Sequence, residues 1–205
     1  MQFQRRKDVP KLPRYQDYRP YLRDDFLRHC AYCTGHEDEM GGQEHFEIDH
    51  HRPMSMPRFR DLINEYSNLY YSCHGCNKRG AKGSNWPSDD LYEAGFRFFD
   101  PVAENAYKVH LREALSSRLL KKTNVGEYSI RILRLNRTGL VNLRRGRRRM
   151  RATLWKELTR LLRALEKTKR LGGEPSSEIR NRLELVREKL RSRPILNLLP
   201  NWWNQ

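Results

Sequence analysis

The chain has 205 residues, which suits one domain or a compact core with an appended part. It is 37% apolar and 32% charged, and no run reaches the roughly 18 apolar residues that a membrane span needs. Its 41 Lys and Arg against 25 Asp and Glu give a net charge of +16. That charge is unevenly placed: residues 1–100 balance to −1 and residues 101–205 to +17. A basic half of this kind points to a polyanion, nucleic acid before a plain solvated face. The N-terminus is basic without the apolar stretch of a signal peptide, so the expected location is the cytoplasm, where cysteines bind metal more often than they pair.

In chain order, residues 1–22 read as an extended arm, with Pro10, Pro13 and Pro20 among Tyr15, Tyr18 and Tyr21. A short helix is predicted over Arg23–His29, leading into Cys30-Ala-Tyr-Cys33. Thr34 to Glu44 is acidic, contains Gly41-Gly42 and reads as a loop. His45 to Asp49 alternates Phe46 and Ile48 with polar residues, the period of a half-buried strand that puts Glu47 and Asp49 on one face. Met54 to Asn64 is a loop with room for a return strand. Ser67 reads as the N-cap of a helix from Asn68 to about Arg79. After a turn-rich loop through Ser88, Phe96–Phe99 reads as a strand stopped by Asp100-Pro101.

Val109 to Leu120 fits either a hairpin or a helix, and Glu127 to Leu135 reads as a helix. From Leu140 to about Arg170, the spacing of Leu154, Leu158, Leu161 and Leu165 predicts an amphipathic helix. Gly172 to Ser177 is a turn, and Ser176 or Ser177 caps a second helix striped by Ile179, Leu183, Val186 and Leu190. Together they predict an antiparallel helical hairpin. The tail, 194–205, is too apolar to float free and is expected to dock on the core or on a partner. The chain therefore divides into an arm (1–22), a core (23–101) and a basic helical region with the hairpin (102–205).

The only four cysteines form two Cys-x-x-Cys pairs, Cys30/Cys33 and Cys73/Cys76. Two such knuckles place four thiolates in tetrahedral reach of one structural zinc ion, with no position left for substrate. A redox pair is the weaker alternative, since it needs only one of the two. His29, His36 and His74 could stand in for a cysteine, but with four thiolates they need not.

Asp49 and His50 stand side by side: a ligand for a hard cation and a base that works near neutral pH. Neighbours on a strand face opposite ways, so the pair serves one site only if the strand bends, which Arg52-Pro53 permits. Asn77 offers a neutral oxygen beside the second knuckle. Magnesium or manganese, which keeps several waters, would need only Asp49, Asn77 and a phosphate oxygen. Glu47 could reach such an ion directly or through water, with a surface role as the competing reading. His51 reads as packed or as a phosphate contact. Arg52, Lys78, Arg79 and Lys82 are candidate phosphate contacts, as are Arg144, Arg145, Arg147 and Arg148 in the densest basic run. For Trp86, Trp202 and Trp203, core packing outweighs stacking on bases.

Ile48-Asp-His-His-Arg-Pro53, Asn68-Leu69 and Cys73-His-Gly-Cys-Asn-Lys-Arg-Gly80 together resemble the HNH endonucleases. That family implies an α+β chain with a ββα-metal core, here stapled by a four-cysteine zinc site and extended by basic helices. The resemblance implies that Asp49 and Asn77 bind a divalent cation, that His50 is the general base, and that Asn68 braces the loop orienting it. Asn77 stands where many members have histidine. Asn85-Trp-Pro, Phe99-Asp-Pro and Leu133-Arg-Leu-Asn-Arg137 extend the likeness to bacterial HNH proteins of the retron-associated and Septu type. That implies a role in phage defence. DNA is the expected substrate. A larger protein partner, a homodimer or a non-catalytic zinc-dependent binding module remain competing readings.

Overall fold

The computed structural model describes residues 3–191, so the expected docking of the tail, and Trp202 and Trp203 with it, lies outside the described residues. The chain is α+β, with short helices, two small sheets and a long helical C-terminal region. It falls into two units that divide between Leu143 and Arg144, rather than at 101 as expected. The reason is packing. Ala106, Leu111, Leu119, Val125, Tyr128, Leu133, Leu135 and Leu140 join the same apolar cluster as Phe46 and Tyr71. Burial of that many side chains outweighs the change of charge at residue 101.

The first helix differs from expectation by four residues. Helix α1 spans Arg19–Asp25, because Pro20 fits the first turn, where no N–H is needed. It follows a 3-10 turn, Tyr15–Tyr18, so the arm is helical at its end. The rest of the arm is pinned rather than loose. Phe3 is buried against the Phe26 ring at 4.8 Å, and Arg5 lies over Tyr70 at 4.7 Å while donating to the Leu69 carbonyl.

The expected loop 34–44 holds a one-turn helix, α2 (Glu37–Met40), closed by a capping box between His36 and Glu39. Glu37 is 1% exposed, and its carboxylate takes hydrogen bonds from Arg23 (2.7 Å), Arg28 (3.0 Å) and the Tyr71 hydroxyl (2.6 Å). Burial opposes its ionisation, but these donors win and hold its pKa at about 2, below the ordinary 4.5. A depressed carboxylate stabilises the fold above pH 4.5 and stops doing so as pH falls through 2. Wild type should therefore lose stability across that window, by about 3 kcal/mol from this group. Glu37→Gln should lose part of that pH dependence in urea titrations; an unchanged acid limb would contradict the assignment.

Strand β1 (Phe46–His50) pairs antiparallel with β2 (Leu69–Cys73), with Phe46 opposite Cys73 and His50 opposite Leu69. The predicted helix from Asn68 to Arg79 is thus mostly a strand. Only α3 (His74–Asn77) is helical there, and Asn68 closes a 3-10 turn before β2. Leu69-Tyr-Tyr-Ser-Cys is buried at all five positions, so it shows no alternation, and its aromatic residues favour a pleated strand. Phe96–Phe99 is not a strand. Phe98 and Phe99 are buried from a loop, with the Phe99 N–H donating to Ser129 Oγ at 3.1 Å.

Beyond α4 (Asp89–Glu93) and α5 (Ala106–Val109), the open stretch 109–120 is a hairpin of β3 (Leu111–Glu113) and β4 (Leu119–Lys121). Helix α6 (Asn124–Ile132) packs on it. The approach is close enough to require Gly126, where a Cβ would meet the His110 carbonyl oxygen at 2.1 Å. Helix α7 (Thr138–Arg170) begins in the first unit. In the second unit, its part from Arg144 onward shares with α8 (Ser177–Arg191) a core of Leu154, Leu158, Leu161, Leu183 and Val186, flanked by Leu165, Ile179 and Leu190. Ser176 is the cap, its Oγ accepting from the Ile179 N–H.

Candidate metal centre and the adjoining cleft

The two Cys-x-x-Cys turns meet because each is fixed by its own backbone. Cys30 N–H donates to Gly35 O and Thr34 N–H to Cys30 O, closing the first knuckle. The second forms where β2 runs into α3. All four sulfur atoms lie within 4.8 Å of one another, buried and unpaired as disulfides. Cys33 and Cys73 Sγ are 3.7 Å apart, close to the edge of about 3.8 Å for a tetrahedron of thiolates on zinc. The donor set therefore fits a metal ion such as zinc.

Charge points the same way. Burial opposes ionisation of Cys30, yet donation from Cys33, Cys73 and Cys76 pulls its thiol well below the ordinary value. Hydrogen bonding to Cys30 pushes the Cys73 and Cys76 thiols up. Four buried thiols cannot all ionise unless a cation joins them. Arg137 assists, with its guanidinium 3.4 Å from Cys76 Sγ and 3.6 Å from Cys73 Sγ. Gly75 leaves the room, since a Cβ there would stand 2.9 Å from Arg137 Nη2. In the sequence Arg137 stands out only as the last residue of Leu133-Arg-Leu-Asn-Arg137, with Gly75 between the cysteines as the local sign of a close approach.

Beside this centre lies a cleft of about 530 Å³. Tyr15, Gln16 and Arg19 form one wall, Glu47 to His50 the floor, and Pro53 to Ser55, Asn77, Gly83 and Ser84 the rest. Asp49 and His50 thus line one cleft at the end of β1. His50 is mostly buried, with Tyr15 edge-on to its ring at 4.6 Å. Its Nε2 lies 3.0 Å from the Ile63 carbonyl, which can only accept, so Nε2 carries the proton and Nδ1 is the basic nitrogen. Burial lowers its pKa below the ordinary 6.5, against an opposing pull from the Ile63 hydrogen bond. Asn68 holds the loop that carries Ile63. Its Oδ1 accepts from Arg52 N–H at 2.9 Å, and its Nδ2 donates to Arg52 O and Leu62 O.

Asp49 is 2% exposed, and its oxygens meet the Tyr32 hydroxyl and Lys82 Nζ, the latter at 2.9 Å. Lys82 is fully buried and also donates to His50 O at 2.6 Å, while its own N–H donates to Cys76 O. This corrects the expectation of a phosphate contact at Lys82: its ammonium is spent inside. Lys82→Met should strand Asp49 and cost about 3–5 kcal/mol. Adding Asp49→Asn should recover part of the loss in urea unfolding; a neutral single variant would sink the pairing.

Glu47 Oε2 accepts from Asn77 Nδ2 at 2.9 Å, and Oε1 meets His74 Nδ1. His51 is turned inward as well, its ring 5.0 Å from Tyr70 and 5.7 Å from Trp86. Burial pushes its pKa down to about 4, so it is neutral near pH 7, and its ring contacts favour packing over a phosphate contact as its role. Arg144, mostly buried, is likewise unsuited to that role, whereas Arg52, Lys78, Arg79 and Arg145 are exposed and Arg147 and Arg148 half-exposed. Trp86 packs among Phe59, Tyr92 and Phe98. Among the described residues, no helix is long and apolar enough to cross a membrane. Compared with family models, with curated proteins and with solved structures, the chain matches none of them.

Proposed function

We propose that this chain is a metal-dependent nuclease of the HNH type, hydrolysing phosphodiester bonds in nucleic acid, DNA first. The observation that carries the reading is His50 in the cleft. It has Nε2 committed to a backbone carbonyl and Nδ1 left as a base, beside the oxygen donors Asp49, Asn77 and Glu47. The four-cysteine cluster is the structural centre, holding zinc.

Asp49 and Asn77 would hold magnesium or manganese, and these hard oxygen donors suit such an ion. A bound cation would offset charge on the phosphate and on the leaving oxygen. His50 Nδ1 takes the proton from the attacking water, and the Ile63 carbonyl keeps the ring in the tautomer that can do so. Asn68 fixes the loop bearing that carbonyl, and Lys82 fixes Asp49 and the His50 backbone. Exposed Lys78, Arg79 and Arg52 supply phosphate contacts, and the basic run through Arg145, Arg147 and Arg148 adds sequence-independent attraction. The retron-associated and Septu likeness makes phage defence the proposed setting.

A zinc-dependent binding module without catalysis is the rival reading. One observation favours it: the Asp49 carboxylate is already engaged by Lys82 and Tyr32. A supercoiled plasmid separates the two. The nuclease reading expects nicking with magnesium or manganese that stops with a chelator; intact plasmid in both metals would leave the binding module.

A further inference from the structure

The oxygen donors of the cleft do not contribute equally to holding a cation. Asp49 is buried against the ammonium of Lys82, so the two together bring no net charge. Arg19, the other cation on the cleft wall, is turned to the carbonyls of Gln43 and Phe46 at 2.7 and 2.8 Å. The remaining negative charge is that of Glu47, whose carboxylate is 41% exposed. A carboxylate can only accept, so the Asn77 end facing it is the amide nitrogen. With Nδ2 turned to Glu47, Oδ1 is the end of the amide left for a ligand. His74 holds the other Glu47 oxygen from the same helix, α3, which fixes the carboxylate at both ends.

We propose that Glu47 is the positioning residue that sets the affinity of this cleft for a divalent cation, by orienting the Asn77 amide and supplying the charge that the Asp49–Lys82 pair does not. The inference rests on the reading of the cleft as a cation-dependent nuclease centre. Partners of this kind behind a ligand shift metal affinity by roughly 10–100-fold when removed. Glu47→Ala removes acceptor and charge together. Glu47→Gln keeps an acceptor oxygen and removes the charge. His74→Ala releases one carboxylate oxygen and leaves the charge.

The test is Mn²⁺ titration of the zinc-loaded protein, followed by calorimetry or by the spin signal of free Mn²⁺, with thermal unfolding of each variant alongside. Wild type should bind one Mn²⁺, Glu47→Ala should bind it roughly 10–100-fold more weakly, and Glu47→Gln and His74→Ala should fall between. Unfolding temperatures should change little, because Glu47 and His74 are both partly exposed. Equal Mn²⁺ binding by wild type and Glu47→Ala, whether tight in both or absent from both, overturns the proposal. Plasmid cleavage on the same preparations keeps the two readings apart. A wild type that binds Mn²⁺ as expected but leaves DNA intact refutes the nuclease and not the role of Glu47. Cleavage with unchanged Mn²⁺ affinity in Glu47→Ala does the reverse.

Discussion

Cys76→Ser should strip the protein of zinc and lower its unfolding temperature by more than about 10 °C. The expectation follows from how many links end on this residue. Its sulfur is one of four in the buried cluster, and it takes the closest approach of Arg137. Its carbonyl accepts from the Lys82 N–H, and Asn77 follows it directly in α3. Structural zinc contributes folding free energy outright, and losing several kcal/mol in a unit of this size shifts the midpoint by that amount. Without the metal, Arg137 would also be left against thiols rather than thiolates. Elemental analysis and thermal unfolding read both effects. A variant that kept one zinc per chain, or kept the wild-type midpoint after losing it, would contradict a structural role for the cluster.

The second large effect belongs to His50. His50→Ala should lower cleavage by roughly 10²–10⁴-fold while leaving zinc content unchanged, the range for loss of a general base. The pH dependence should carry the signature of the group. Its conjugate acid is disfavoured by burial, so the unprotonated form persists below the ordinary 6.5. The rate should therefore fall only as pH drops through a value under 6.5. A cation held on Asp49 and Asn77 would push the same way, since it repels an imidazolium. An acid limb centred above 6.5 would point to a different base.

The legible parts of this chain were those where spacing or periodicity acts locally. Two Cys-x-x-Cys turns must make compact knuckles, and Leu154 to Leu165 with Ile179 to Leu190 show a helical stripe because one face is buried and the other wet. β2 was missed for the opposite reason: both faces of Leu69–Cys73 are covered, which erases the alternation that marks a strand. Lys82 was misread because a lysine in a Gly-rich loop ordinarily faces water. Its burial is set by Asp49 and the His50 carbonyl, 32 to 33 residues away, which no local pattern encodes. The role of Arg137 lies 61 residues from Cys76 and was equally out of reach. His51 read as packed or as a phosphate contact, and the rings of Tyr70 and Trp86, which no local pattern places beside it, favour the first.

The most direct test of the account is cleavage of supercoiled plasmid by the zinc-loaded protein at neutral pH in magnesium, run beside His50→Ala from the same purification. Wild type should convert the plasmid to nicked circles and the variant should leave it supercoiled. No cleavage by either protein in magnesium or manganese, or equal cleavage by both, would contradict it.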